Sequence, residues 1–177
     1  MKTIILVTVI LTSISLKDVL SQSYSLGGAL IYGNDIEEFG GHARAYYNMK
    51  NNKICFGPEF SQFSKKKVTI GGEEISERLR EVNFNLHYIF ELNESWGFYP
   101  LVGLNMSFVN EEITDISSIH TETHKAEEFG TNLGFGFHKN VNRWMFFGEF
   151  DRLFSDISQN SFLVGAFFTF GKKTEHE

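Results

Sequence analysis

The sequence has a single cysteine, Cys55, and two prolines among 177 residues. A lone cysteine cannot form an intramolecular disulfide, so no such staple holds the fold. Cys55 reads as a small buried residue on a strand. A basic excess is missing as well. Sixteen Lys and Arg stand against 22 Asp and Glu, for a formal net charge of −6. A nucleic-acid surface needs a basic footprint, so nucleic acid is not expected as a partner. Lys65-Lys66-Lys67 is a short run and reads as a solvated loop tip. Beyond residue 21 no stretch reaches the roughly 18 apolar residues of a transmembrane helix. If that part of the chain enters a membrane, it must do so as a closed barrel. Only helices and closed barrels satisfy every backbone polar group in lipid.

What the chain has instead is aromatic residues and glycine: 19 Phe, 6 Tyr, 2 Trp and 16 Gly. Aromatic and β-branched residues favour strands. The N-terminus reads as an export signal over residues 1–21. Met1-Lys2 supplies a small positive region, and residues 3–14 form an apolar run of secretory length. Val19-Leu20-Ser21 offers the small residues of a cleavage site, with Gln22 as the new N-terminus. Removing this segment takes away Lys2, Lys17 and Asp18 and leaves the chain one unit more acidic. An uncleaved anchor is the alternative, but the run is short for one.

Period-2 alternation marks eight strands, at 24–32, 42–49, 54–63, 81–90, 98–109, 127–138, 144–154 and 161–171. The clearest runs from Glu81 to Phe90. Val82, Phe84, Leu86, Tyr88 and Phe90 share one face; Glu81, Asn83, Asn85 and His87 share the other. Likewise Phe56 and Phe60 oppose Cys55 and Glu59, and Phe135 opposes Gly134 and Gly136. Leu104 opposes Gly103 and Asn105, and Phe168 opposes Thr169. Two strands are less regular. Ile31 interrupts the polar face of the first, and Met145, Phe147 and Leu153 join the acidic face of the seventh, opposite Phe150. Pro58 removes a ladder donor, so a bulge is expected there. The connections alternate in length. Those at 50–53, 91–97 and 139–143 are short. Those at 64–76 and 110–126 are long and polar.

Alternation does not say which face meets solvent, since a soluble lipocalin-like barrel keeps its apolar face inside. Volume decides. An eight-stranded interior is only just filled by side chains, and more than about thirty large apolar groups would overfill it. The Gly-, Ser- and Asn-rich face fits inside, and the apolar face turns out. Aromatic residues also gather at both strand ends, as transmembrane barrels require.

The signal, the eight alternating strands and the Phe-rich terminal strand over residues 162–170 together resemble the small eight-stranded outer-membrane barrels. That group includes the OmpA transmembrane domain, OmpX and the broad porin-family class. The resemblance covers about residues 22–171 and implies an all-β, antiparallel, up-and-down transmembrane barrel. It also implies outer-membrane lipid and the barrel-assembly machinery as partners, in the outer membrane of a Gram-negative bacterium. Such barrels typically end on an aromatic residue. Here a short polar tail, 172–177, follows Phe170.

On this reading Phe56, Phe60, Phe84, Leu86, Tyr88, Leu104, Phe135, Phe150 and Phe168 face lipid. The polar set Arg44, Glu59, Glu81, His87, Glu128, Glu149 and Asp151 faces the lumen. Buried charges need partners, so a plugging network is expected, centred on Arg44 with Glu59 and with Glu149 or Asp151. A narrow cation-favouring pore is the alternative. Lipid A-modifying barrels of the deacylase type carry His-x-Ser with a downstream Glu, and none of the six His here has Ser two residues on. His120 and His124 would share a face only on a helix. No catalytic, cofactor or metal residues are therefore expected. The expected role is non-enzymatic, in envelope structure or surface interaction. External ligands would bind at the loops 64–76 and 110–126, because loops on a rigid scaffold carry function.

Overall fold

The computed structural model describes residues 23–49, 53–115 and 120–171. The expected signal segment with its cleavage site, residues 50–52 of the expected short connection, residues 116–119 of the expected long loop and the tail 172–177 lie outside the described residues. Ten strands form one antiparallel sheet. They are β1 (Ser23–Gly33), β2 (Glu38–Met49), β3 (Ile54–Phe63), β4 (Lys66–Ile70) and β5 (Glu73–Tyr88). Then come β6 (Phe90–Glu91), β7 (Trp96–Asp115), β8 (His120–Val141), β9 (Trp144–Phe154) and β10 (Gln159–Gly171).

Eight of these close a barrel in the order β1-β2-β3-β5-β7-β8-β9-β10. The closing seam pairs β1 with β10, from Ser23↔Gly171 to Gly33↔Ser161. No sheet edge remains within the barrel wall, so every strand there has two hydrogen-bonding neighbours. β4 and β6 are short additions to the eight. β6 follows a break at Ile89 and still pairs with β7.

Parity holds around the wall. Arg44, Glu59, Asn83, Asn85, Asn105, Asn132 and Glu149 are buried inside, while Phe84, Leu104, Leu133 and Phe135 are exposed outside. Of the residues expected to face outward, Phe60, Leu86 and Tyr88 are also exposed. Phe56, Phe150 and Phe168 lie on the same face, half-covered by neighbouring rings.

Inside, the wall is not uniformly polar. At the end away from the chain termini, Ile31, Ile36, Phe63, Leu79 and Leu163 are buried together, with Val109 packed against them. This explains Ile31, which breaks the alternation of β1. Its side chain belongs to an apolar seal across the distal mouth. Phe147 and Phe167 are also buried inside, with ring centroids 5.0 Å apart. The mixed face of β9 thus reflects a lumen that is partly apolar, which corrects the expectation of a wholly polar plug.

Pro58 does not create a bulge. The β2–β3 register passes from Arg44↔Glu59 to Tyr47↔Phe56, three residues on each side, with no residue inserted. The ladder is interrupted instead, because proline has no N–H to give. Gly57 lets the two backbones stay close. A Cβ there would overlap the Ala45 carbonyl oxygen and press on the Tyr46 ring. Gly57→Ala is expected to destabilise the barrel by about 1–3 kcal/mol, the usual cost of overpacking. Chemical unfolding monitored by tryptophan fluorescence measures it, and an unchanged midpoint would show that the strands have room to spread.

The largest departure from the sequence reading lies at the distal end. β5, β7 and β8 run for 16, 20 and 22 residues, against 10 to 12 for β1, β2, β3 and β9. The stretches 64–76 and 110–126 are therefore largely strand, not loop. β4 turns back onto β5 through Gly71-Gly72, with φ of 62° and 93°. Both positive angles suit a two-residue hairpin turn that glycine adopts without strain. The β7–β8 pairing is unbroken from Trp96↔Lys139 to Asp115↔His120. A four-stranded sheet, β4-β5-β7-β8, thus stands beyond the barrel.

Candidate functional site

Two regions hold the polar chemistry: the lumen and the projecting sheet. In the lumen Arg44 is the one buried Lys or Arg among the described residues. Its guanidinium meets Glu149 through two parallel bonds, Nη1 to Oε2 at 2.9 Å and Nη2 to Oε1 at 2.7 Å. This fork-to-fork geometry is the strongest form of such a pair. Glu59 lies on the other side, 3.7 Å from Nη2. Arg44 Nε donates to His42 Nε2 at 2.7 Å. That leaves His42 Nδ1 to carry the proton and to donate to Ser61 Oγ at 2.8 Å. The guanidinium also lies 4.7 Å from the Phe147 ring centre and 5.5 Å from that of Phe167. The two phenylalanines on the polar face of the lumen thus serve as faces for the cation.

The carboxylates are secured from below. Tyr99 donates to Glu149 Oε2 at 2.8 Å, and Tyr46 donates to Glu59. Because the Tyr46 hydroxyl gives its proton to Glu59, it accepts from His87 Nε2 at 2.8 Å. His87 stacks on Tyr99 with centroids 4.9 Å apart and 8° between planes. A second layer consists of amides. Asn105 and Asn132 both donate to Asn83 Oδ1, at 2.6 and 2.9 Å. Ser107 donates to Asn105 at 2.8 Å.

The seven polar residues singled out from the sequence divide. Arg44, Glu59, His87 and Glu149 meet in one network. Glu81 is buried on the same inner face but forms no ion pair among the described residues. Asp151 is not an Arg44 partner, and its Oδ1 is buried without a hydrogen-bond partner. Glu128 is half-buried on β8, paired in register with Ser107, and stands apart from the network. The sequence reading missed His42, Tyr46 and Tyr99 as network members. Their inward parity was visible; their role was not, because tyrosines also fit an apolar face.

The projecting sheet carries charge of both signs. Lys65 Nζ sits 2.6 Å from Glu112 Oε2, Lys66 3.1 Å from Glu37 and Lys67 2.9 Å from Glu74. The hydrogen bond from Lys65 holds the Glu112 carboxyl below its ordinary range, and that to Glu74 raises the Lys67 ammonium. Such exposed pairs contribute little to stability. His120 and His124 both lie in β8, where strand rise puts their Cα atoms roughly 13 Å apart. The spacing that would serve a metal on a helix here separates the two.

Comparison with solved structures tests the architecture. A major outer membrane protein from Thermus thermophilus matches with a TM-score of 0.67 at 13% identity, over 85% of this chain and 100% of its own. The fold is that of the small outer-membrane barrels. Ail of Yersinia pestis, in complex with the heparin analogue sucrose octasulfate, matches at 0.58 and 17% identity over 84% and 97%. The N-terminal β-barrel domain of Pseudomonas aeruginosa OprF matches at 0.54 and 14% identity, again over 84% and 97%. No protein-family model and no curated protein matches the chain in sequence. At these identities the shared property is the closed eight-stranded wall.

Proposed function

We propose that this protein is a non-enzymatic, integral outer-membrane barrel that offers a rigid sheet to the cell exterior for surface contact. The observation that carries the reading is the contrast between wall and projection. The wall turns a belt of exposed Phe, Leu, Val and Tyr outward, a surface that water would penalise and lipid accepts. The projection turns out Lys, Arg, Glu and Thr instead. Bare strands border it on both sides. Among the described residues, β4 pairs with β5 alone, and β8 up to Gly130 pairs with β7 alone. Unpaired strand edges are templates for another chain.

A solute channel is the weaker reading. Arg44, Glu149, Glu59, Tyr46, Tyr99, Phe147 and Phe167 are all buried in the lumen and in mutual contact. A lipid-modifying enzyme would need an accessible nucleophile and base at the belt, and the histidines of the network are enclosed. Ligand binding by a barrel of this fold has a precedent in the complex of Ail with the heparin analogue sucrose octasulfate.

The reading is tested by gel migration with and without boiling, in detergent and in plain buffer. A folded barrel migrates differently from its heated form and needs detergent to stay soluble. Protease added to intact cells should then cut at Lys65–Lys67 in the projection. A monodisperse protein in plain buffer would overturn the membrane reading. Protection of the projection in intact cells would overturn its outward orientation.

A further inference from the structure

The projecting sheet holds two cations, Arg78 and Lys125, that form no ion pair among the described residues, although Glu112 feels the charge of Arg78. A side cleft of about 300 Å³ is lined by Lys65, Arg78, Asn110, Glu112, Thr123 and Lys125. Arg78, Asn110 and Lys125 form one cross-strand row, since Arg78 pairs with Asn110 and Asn110 with Lys125. Side chains two residues apart on a strand share a face. On β5, Arg78 therefore continues the line of Phe84, Val82 and Arg80. On β7, Asn110 continues that of Leu104 and Met106. On β8, Lys125 continues that of Phe129. The cleft thus opens on the same outer face as the apolar belt, with the mixed row Arg80-Phe108-Glu127 between it and the apolar row Val82-Met106-Phe129. Phe108 to Asn110 is roughly 7 Å at strand rise.

Charge within the cleft is unbalanced. Lys65 is taken by Glu112. Arg78 and Lys125 form no ion pair among the described residues. Their Cα atoms are two strand spacings apart, roughly 10 Å, so both long side chains can converge over Asn110. Two like charges facing each other across a neutral amide repel, and an anion between them reverses the sign of that interaction. In the row below, Arg80 and Glu127 flank Phe108 with opposite charge, which leaves Arg78-Asn110-Lys125 as the cationic row. The chain is acidic as a whole, so general positive charge does not account for the row.

We infer that Arg78 and Lys125, with Asn110 between them, bind the phosphate of an outer-leaflet lipid headgroup lying against the barrel. This rests on the membrane reading above. Phosphate fits the donors: a guanidinium fork, an ammonium and an amide N–H₂. A lipid fits the height, because its acyl chains would pass Phe108 and run down the apolar belt that begins at Val82, Met106 and Phe129. Cations set just beyond an apolar belt act at the headgroup layer.

The test uses the full barrel, first checked by heat-modifiable migration and by insertion into phosphatidylcholine vesicles. Binding of diphosphoryl lipid A, the same lipid A stripped of phosphate, and inorganic phosphate is then measured by native mass spectrometry. The wild type should prefer the phosphorylated lipid by about ten-fold or more, and Arg78→Ala with Lys125→Ala should remove that preference. Arg152→Ala, an outward cation on β9, should leave it within about two-fold, as a site away from the row. Equal binding by the double variant, or no preference for phosphate, overturns the inference. So does inorganic phosphate competing at the concentration of the lipid, which would mark a free-anion site. Failure of the wild type to insert is a separate outcome and sinks the membrane reading instead.

Discussion

Arg44→Ala is expected to destabilise the barrel by about 3–5 kcal/mol, the usual cost of leaving a buried charge without its partner. The side chain sits between two carboxylates, with a bidentate bond to Glu149 and Glu59 at 3.7 Å. Both carboxylates are fully enclosed. Removing the cation leaves two negative charges close together with only hydroxyl and imidazole donors. The loss is greater than the value of the pair, because the acids remain desolvated. Unfolding by urea in vesicles, followed by Trp96 and Trp144 fluorescence, measures it. Arg44→Ala in a Glu149→Gln background should cost markedly less, since one orphaned charge has been neutralised. A double-mutant cycle isolates the coupling. A cost for Arg44→Ala within the roughly 0.5 kcal/mol of an ordinary surface site would mean that the acids are satisfied without Arg44.

Phe84→Arg is expected to weaken the inserted state by about 2–4 kcal/mol, the cost of a cation at the bilayer midplane. Phe84 is exposed on β5, midway between Arg80 and Tyr88, with its ring 6.1 Å from Phe56. Position along the strand makes the result specific. Phe154→Arg, at the distal end of β9 beside Arg152, should cost only about 0–1 kcal/mol, because it lies near an interface. The same vesicle unfolding experiment compares the two. Equal costs at both positions would argue against a membrane whose midplane lies at Phe84. A stabilising effect of Phe84→Arg in plain buffer would favour a soluble barrel.

Much of this was legible without coordinates, for a simple reason. A strand exposes alternate residues to different media, so Val82 to Phe90 on one side and Glu81 to His87 on the other encode the two faces locally. Eight such runs, and the excess of apolar volume over lumen capacity, then led to a barrel turned apolar side out. The projecting sheet was legible in principle. Gly71-Gly72 between Val68, Ile70 and Ile75 is a hairpin signal. It was hidden by polarity, since a strand pair standing in water needs no apolar face and reads as loop.

Other features could not be found along the chain. Arg44 and Glu149 are 105 residues apart, and nothing in the sequence distinguishes Glu149 from Asp151 as the partner. Barrel closure and shear decide which inward side chains share a level. Phe147 breaks the alternation of its strand, and closure places it, with Phe167, beside the guanidinium. The sequence by itself determined the eight strands, their faces and the direction of the apolar belt, because these depend on neighbours two residues away. Only the tertiary structure decided the lumen pairing, the apolar seal at the distal mouth and the row Arg78-Asn110-Lys125. Each of those depends on the register between strands, which a one-dimensional pattern leaves open.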